Sequence, residues 1–216
     1  MSMPASELSF PRPIDIFARM ISFIFHPLLV GVYMAAYLVF INSYYYAYIP
    51  RMASFFNFLT VVNNNFIFPV LVVLLMRGLG FSKSIYLRTQ KERIVPYIAS
   101  MIFFFWTWNV FYHQQEIPQV MKDMCQGIFF SSIAGMMANN YFKISMHAIG
   151  VGGLLGLMIV VLLDGQMYNF IPLAVSIIVA GLVMSSRLIT RDHQPGDILA
   201  GFIAGIASQF LAAWII

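Results

Sequence analysis

Apolar residues run along this chain in long blocks separated by short polar stretches, without the period of a half-buried strand or of a helix with one wet face. A bilayer core about 30 Å thick is crossed by about 20 apolar helical residues. That measure predicts helical spans at 17–42, 57–76, 94–112, 124–139, 148–163, 170–185 and 198–216. The fourth is short and begins beside Lys122 and Asp123, so a full crossing and a re-entrant segment both remain open. The expected fold is an all-α, polytopic transmembrane helical bundle of about six to seven spans. No repeat or low-complexity linker divides it. Residues 1–216 are therefore expected to form one membrane domain, with N-terminal spans in 14–80 and the rest of the bundle in 83–216.

Composition supports lipid as the solvent. Of the 216 residues, 61% are hydrophobic and 9% charged, against roughly 25% charged in soluble domains. The first 13 residues are too polar and proline-rich for the core of a signal peptide, so the first span is expected to stay in the mature protein. A single cysteine, Cys125, excludes an intramolecular disulfide and a cysteine metal cluster. The net charge of +4 comes without a long basic run, which favours contact with bilayer lipids and no nucleic-acid partner. Four tyrosines in 44–48 fit an interfacial aromatic belt, and the 15 methionines fit adaptable packing.

Seven spans put the N-terminus and the loops after spans two, four and six on one face. Those loops hold Lys83, Arg88, Lys91 and Arg93, then Lys143, Ser145 and His147, then Ser186, Arg187, His193 and Asp197. Among the 12 Lys and Arg residues only Arg51 and Lys122 fall on the other face. Such a bias by itself places the basic face in the cytoplasm and accounts for Arg12, Arg19 and Arg77. It does not account for two histidines, a serine and an aspartate at short spacings.

Three features of those loops suggest phosphate chemistry. Arg187 closes the sixth span, and a planar guanidinium grips phosphate oxygens bidentately. His193 precedes the last span and Asp197 starts it; at i and i+4 the carboxylate can hold one imidazole nitrogen and leave the other to attack, with Gly196 giving room for the turn. Ser145 and the start of the fifth span can hold an anion, and His147 beside them can protonate a leaving oxygen. The pairs Gly152/Gly156 and Gly201/Gly205 have the small-xxx-small spacing that lets membrane helices approach, which would bring the fifth and seventh spans, and so the two histidines, together. His26 and His113 read as structural, and Asp164 as a solvated residue of the opposite face.

The run Ser186-Arg187-x5-His193-x3-Asp197 resembles the third signature of the type-2 phosphatidic acid phosphatase (PAP2) superfamily without a gap. Ile144-Ser145-Met146-His147 is similar to its second signature, Pro-Ser-Gly-His, keeping serine and histidine. Arg88-Thr-Gln-Lys91-Glu-Arg93-Ile-Val-Pro96 looks loosely like the first, Lys-x6-Arg-Pro; either Arg88 or Lys91 stands for the lysine. The resemblance implies a catalytic core of this type in 83–216. His193 would be the nucleophile forming a phosphohistidine, Asp197 its orienting partner and His147 the general acid. Arg187, Arg93, Lys91, Arg88, Ser145 and Ser186 would hold the phosphoryl oxygens. No metal and no other cofactor is implied.

The expected activity is hydrolysis of a membrane lipid phosphate or (poly)prenyl diphosphate by an integral protein of a bacterial inner membrane. Two alternatives stand beside it: a lipid phosphotransferase using the same site, and a non-enzymatic transporter or scaffold with a degenerate site. Sidedness divides the two lines of argument. Charge bias points to the cytoplasm, whereas the resemblance implies the outer or lumenal face.

Overall fold

Prolines open most of the helices, because the first turn of a helix leaves its N–H groups unbonded and proline has none to lose. The computed structural model describes residues 11–42, 44–80 and 90–215, with the backbone alone for 90–93. In chain order the helices are α1 (Arg12–Ile24), α2 (Pro27–Ala36), α3 (Arg51–Val62), α4 (Phe68–Gly78), α5 (Gln90–Tyr112), α6 (Gln119–Asn139), α7 (Met146–Leu163), α8 (Ile171–Ile189) and α9 (Pro195–Ile215). Pro13, Pro27, Pro69, Pro172 and Pro195 lie in first turns, and Pro50 and Pro118 are the residues just before α3 and α6. A π-helical turn, Tyr37–Ile41, extends α2, and another, Asn63–Ile67, joins α3 to α4 in one rod. The described residues contain no strand.

Five helices are long and apolar enough to cross a membrane: Arg51–Gly78, Ile94–Tyr112, Met146–Leu163, Ile171–Ile189 and Pro195–Ile215. The predicted first span is not one straight helix. It breaks at His26-Pro27, and Arg12–Ile24 meets Pro27–Ile41 at 56°; the pair makes a sixth candidate if taken as one span. Proline cannot donate to the preceding turn, and the His26 ring nitrogen Nδ1 accepts the Leu28 N–H at 3.3 Å, so the second helix is capped and restarts in a new direction.

The fourth predicted span is a continuous helix of 21 residues, α6, about 31 Å long. It carries Lys122, Gln126, Ser131, Ser132 and Asn139, all buried. It packs against α5, α7 and α9, so these polar side chains face protein. Those polar residues keep it out of the helices apolar enough to cross, so the seven predicted spans become five, or six with the bent pair.

The closest approach is between α7 and α9. A Cβ on Gly152 would run into the Phe202 carbonyl, and one on Gly205 into the Ile149 carbonyl and, at 2.7 Å, the Gly153 nitrogen. At Gly201 it would lie 2.7 Å from the Ser145 carbonyl, and at Gly156 3.1 Å from the Ile206 Cα. Both glycine pairs expected from the sequence thus sit in one crossing, backbone against backbone.

Gly196, by contrast, has nothing within 4 Å of a built Cβ, and no positive φ demands glycine there. The turn before α9 does not depend on it. Gly196→Ala is expected to leave the apparent Tm unchanged or raise it by up to about 3 °C, since alanine is the better helix former. A fall in detergent-phase thermal unfolding would contradict this.

The larger apolar core, with Met34, Leu38, Phe111, Met121, Met124 and Val161, lies among α2, α5, α6 and α7. A smaller one, Val151, Val179, Ala180 and Val183 with Ile21, Phe25 and Phe202 against it, ties α1, α7, α8 and α9 together. This smaller core fixes the helices at whose ends His26, His147 and His193 lie.

Candidate functional site

The α7–α9 crossing fixes the loops at its end. The Ser145 N–H donates to the Asp197 carbonyl at 3.3 Å, so the start of α7 is bonded to the first turn of α9. His193 in turn reaches the segment before α7: its Nδ1 lies 2.9 Å from the Lys143 carbonyl. A carbonyl only accepts, so Nδ1 carries the proton, and in a neutral ring Nε2 holds the lone pair. The Lys143 ammonium donates to the Asp192 carbonyl at 2.9 Å, closing the same two segments on each other from the other direction. His147, in the first turn of α7, lies within the electrostatic reach of Arg187, His26 and His193. The predicted meeting of the two histidine-bearing loops is present.

Arg187 sits in the last turn of α8 with its side chain 12% exposed. One end of its guanidinium bonds Asp192 Oδ2 at 2.7 Å, and Nη1 donates to Ser22 Oγ at 3.3 Å. Asp192 folds back because Arg191, just past α8, takes φ 55°, the left-handed conformation usual for glycine or asparagine at a helix end. There its carboxylate also accepts from Thr190 Oγ1 at 2.8 Å. The Asp192 contact is made through one guanidinium nitrogen, so Arg187 holds an anionic oxygen in this arrangement by a single charge-assisted bond.

His147 contacts α1. Its Nε2 donates to the Ser22 carbonyl at 3.0 Å, one of the carbonyls that the end of α1 leaves without a helical partner. Its ring packs edge-on against His26, with centroids 5.6 Å apart. His26 was expected to be structural, and it does cap α2, yet it stands beside the predicted acid. Ser22 and His26 are the two residues of this cluster that sequence reasoning passed over. The only signal for His26 was the His-Pro step inside an apolar run, and Ser22 gave none.

Other expectations change in detail. Asp197 was expected to orient His193. Its carboxylate instead accepts the Gln194 N–H at 3.1 Å, the reciprocal half of a capping box at the start of α9, and the orienting bond at His193 Nδ1 comes from the Lys143 carbonyl. The i, i+4 argument requires both residues to be helical, and α9 begins only at Pro195. Asp197→Ala is therefore expected to cost about 1 kcal/mol of stability through the lost cap. It should leave the His193 ring protonated at Nδ1. Imidazole nitrogen NMR together with thermal unfolding checks both parts; a switched tautomer would restore Asp197 as the orienting group.

Ser145 is fully buried, and its Oγ caps α7 by accepting the Ala148 N–H at 3.4 Å. Ser186 is also buried and donates to the Val183 carbonyl at 2.7 Å. Both serines serve as helix fastenings in this arrangement. Asp164, expected to be solvated, is exposed but accepts from Tyr45 Oη at 2.7 Å. Burial and that carboxylate push the Tyr45 hydroxyl well above the usual tyrosine range. Lys91 and Arg93 lie in α5, where the side chains of 90–93 are outside the described residues, as is Arg88 altogether. Among the described residues no group of three or more His, Cys, Asp and Glu is placed to hold a metal ion.

The geometry gathers His147, Arg187, His193 and Lys143 at one end of α7, α8 and α9, with Ser22 and His26 from the α1–α2 break closing over them. No family model, curated protein or solved structure matches the chain.

Proposed function

We propose that this protein is a membrane phosphohydrolase acting on a lipid phosphate or (poly)prenyl diphosphate through a phosphohistidine on His193. The observation that carries this reading is the bond from His193 Nδ1 to the Lys143 carbonyl, which leaves the lone pair of a neutral ring on Nε2. His193 Nε2 attacks phosphorus, the P–O bond to the lipid breaks, and His147 gives the departing oxygen a proton. His147 holds one proton on Nε2 against the Ser22 carbonyl, so it acts as the acid in its imidazolium form, whose second proton, at Nδ1, is the one transferred. Water then attacks the phosphohistidine and passes a proton to His147 Nδ1; the P–N bond breaks, releasing phosphate and restoring the His193 lone pair. Arg187 stabilises the equatorial oxygens after exchanging Asp192 for them. Arg88, Lys91 and Arg93 are proposed to join it, completing a core of the type-2 phosphatidic acid phosphatase kind.

The substrate class is argued from position. In this reading α6 crosses as well, making seven rods with α2, and the site sits at one end of the bundle, level with headgroups that diffuse in laterally. The bacterial inner membrane remains the proposed location.

One observation favours a different reading. Ser145 and Ser186 are both engaged in helix fastening, and Arg187 already holds Asp192, as a degenerate phosphate site in a transporter or scaffold would. Incubating the purified protein in detergent with a panel of lipid phosphates and diphosphates, without an acceptor, separates the possibilities. Release of inorganic phosphate supports hydrolysis. Phosphoryl transfer only after an acceptor is added supports a transferase, and no turnover on any substrate supports the scaffold.

A further inference from the structure

Ser22 touches both halves of the cluster. It is 7% exposed, near the end of α1, and its two oxygens do different work. The carbonyl accepts His147 Nε2 at 3.0 Å, while Oγ lies 3.3 Å from Arg187 Nη1 and 2.9 Å from Ser186 Oγ. The direction of each bond is determined. Ser186 gives its hydroxyl proton to the Val183 carbonyl, so in the serine pair Ser22 donates, and a guanidinium can only donate to Ser22. The order is Arg187 to Ser22 to Ser186 to Val183. His147 receives its tautomer from the same residue.

The helix carrying Ser22 is unlike the rest of the bundle. It leaves α2 at 56°, packs on α8 through one face, and turns Ile16, Phe17, Met20 and Phe23 outward, with Phe23 78% exposed. Arg19 and Asp15 pair along it at 2.8 Å. A short helix with one strongly apolar outer face and charges at its margin lies in the headgroup–acyl boundary. The α8 helix it packs on is long and apolar enough to cross a membrane, so the bilayer is the occupant that fits this face.

We propose that Ser22 is a positioning residue for both His147 and Arg187, and that the bilayer surface, by seating the apolar outer face of α1, holds Ser22 in place. The inference rests on the hydrolase reading only for its consequence on turnover, not for its geometry.

Two readouts test it. Full-length protein with nitrogen-15 histidine in phosphatidylcholine–phosphatidylglycerol nanodiscs, with His147 assigned through His147→Gln, should show the His147 ring protonated at Nε2. In Phe17→Glu/Phe23→Glu, which alters only outward-facing positions, that ring should become a mixture of tautomers. A wild-type ring without the Nε2 proton, or a double variant identical to wild type, overturns the proposal.

In the second readout, Ser22→Ala should lower kcat on a lipid phosphate about tenfold with KM changed less than about twofold, and Ser22→Thr should recover to within about threefold. An alanine variant as active as wild type, or a threonine variant as slow as alanine, overturns the proposal. If wild type turns over no lipid phosphate, the hydrolase reading fails and the ring measurement alone decides on Ser22.

Discussion

His193→Ala is expected to lower turnover of a lipid phosphate by at least about a thousandfold, with thermal stability nearly unchanged. The loss should be large because the substitution removes the attacking nitrogen itself, on the ring whose Nδ1 the Lys143 carbonyl holds. The ring is only partly buried and Nδ1 bonds a backbone carbonyl, which water can satisfy once the ring is gone. His147→Ala should behave differently. A missing general acid costs about 10²–10⁴-fold on a poor leaving group and much less on an acidic one such as nitrophenol. His113→Ala supplies the control. That exposed ring bonds the Asn109 carbonyl at 2.8 Å beyond the other end of α5, and its loss should not alter turnover. Equal losses for His193 and His113 variants would mean that the assay reads folding.

The largest effect on stability is expected at the α7–α9 crossing. Gly205→Ala places a methyl group against the Ile149 carbonyl and the Gly153 nitrogen, both backbone atoms that cannot rotate away. The helices must separate, at a cost of about 2–3 kcal/mol. For a chain of this length that is a fall of about 5–10 °C in apparent Tm. Activity should fall as well, because Ser145 and Asp197 are joined at the end of this crossing. Gly181→Ala, where a built Cβ meets nothing within 4 Å, is the matched control. Equal Tm values for the two variants would show that the close approach is not a source of stability.

Much of the bundle was legible because long apolar blocks and glycine spacing are properties of single helices. The Gly152/Gly156 and Gly201/Gly205 pairs suggested which two helices dock, and the fold places both pairs in that crossing, where only small residues allow carbonyl contact. The grouping of the 143–147 and 186–197 segments came from counting crossings. Features set by tertiary partners were not legible. A serine in an apolar run is uninformative until its neighbours are known, so Ser22 gave no signal. The bend at His26-Pro27 was obscured by the apolarity on either side. Asp197 was misread because helical spacing was applied to His193, which lies before the helix begins. The polar residues of α6 made it look like a weak span, and in the fold they are buried against neighbouring helices.

The central claim is that His193 carries the phosphoryl group. Rapid quenching of the purified protein during turnover of a lipid substrate labelled with phosphorus-32, followed by peptide mapping, tests it directly. The account predicts acid-labile, base-stable label on the peptide containing His193, rising before product and absent from His193→Ala. Turnover with no label on the chain, or label on a peptide that lacks His193, would contradict it.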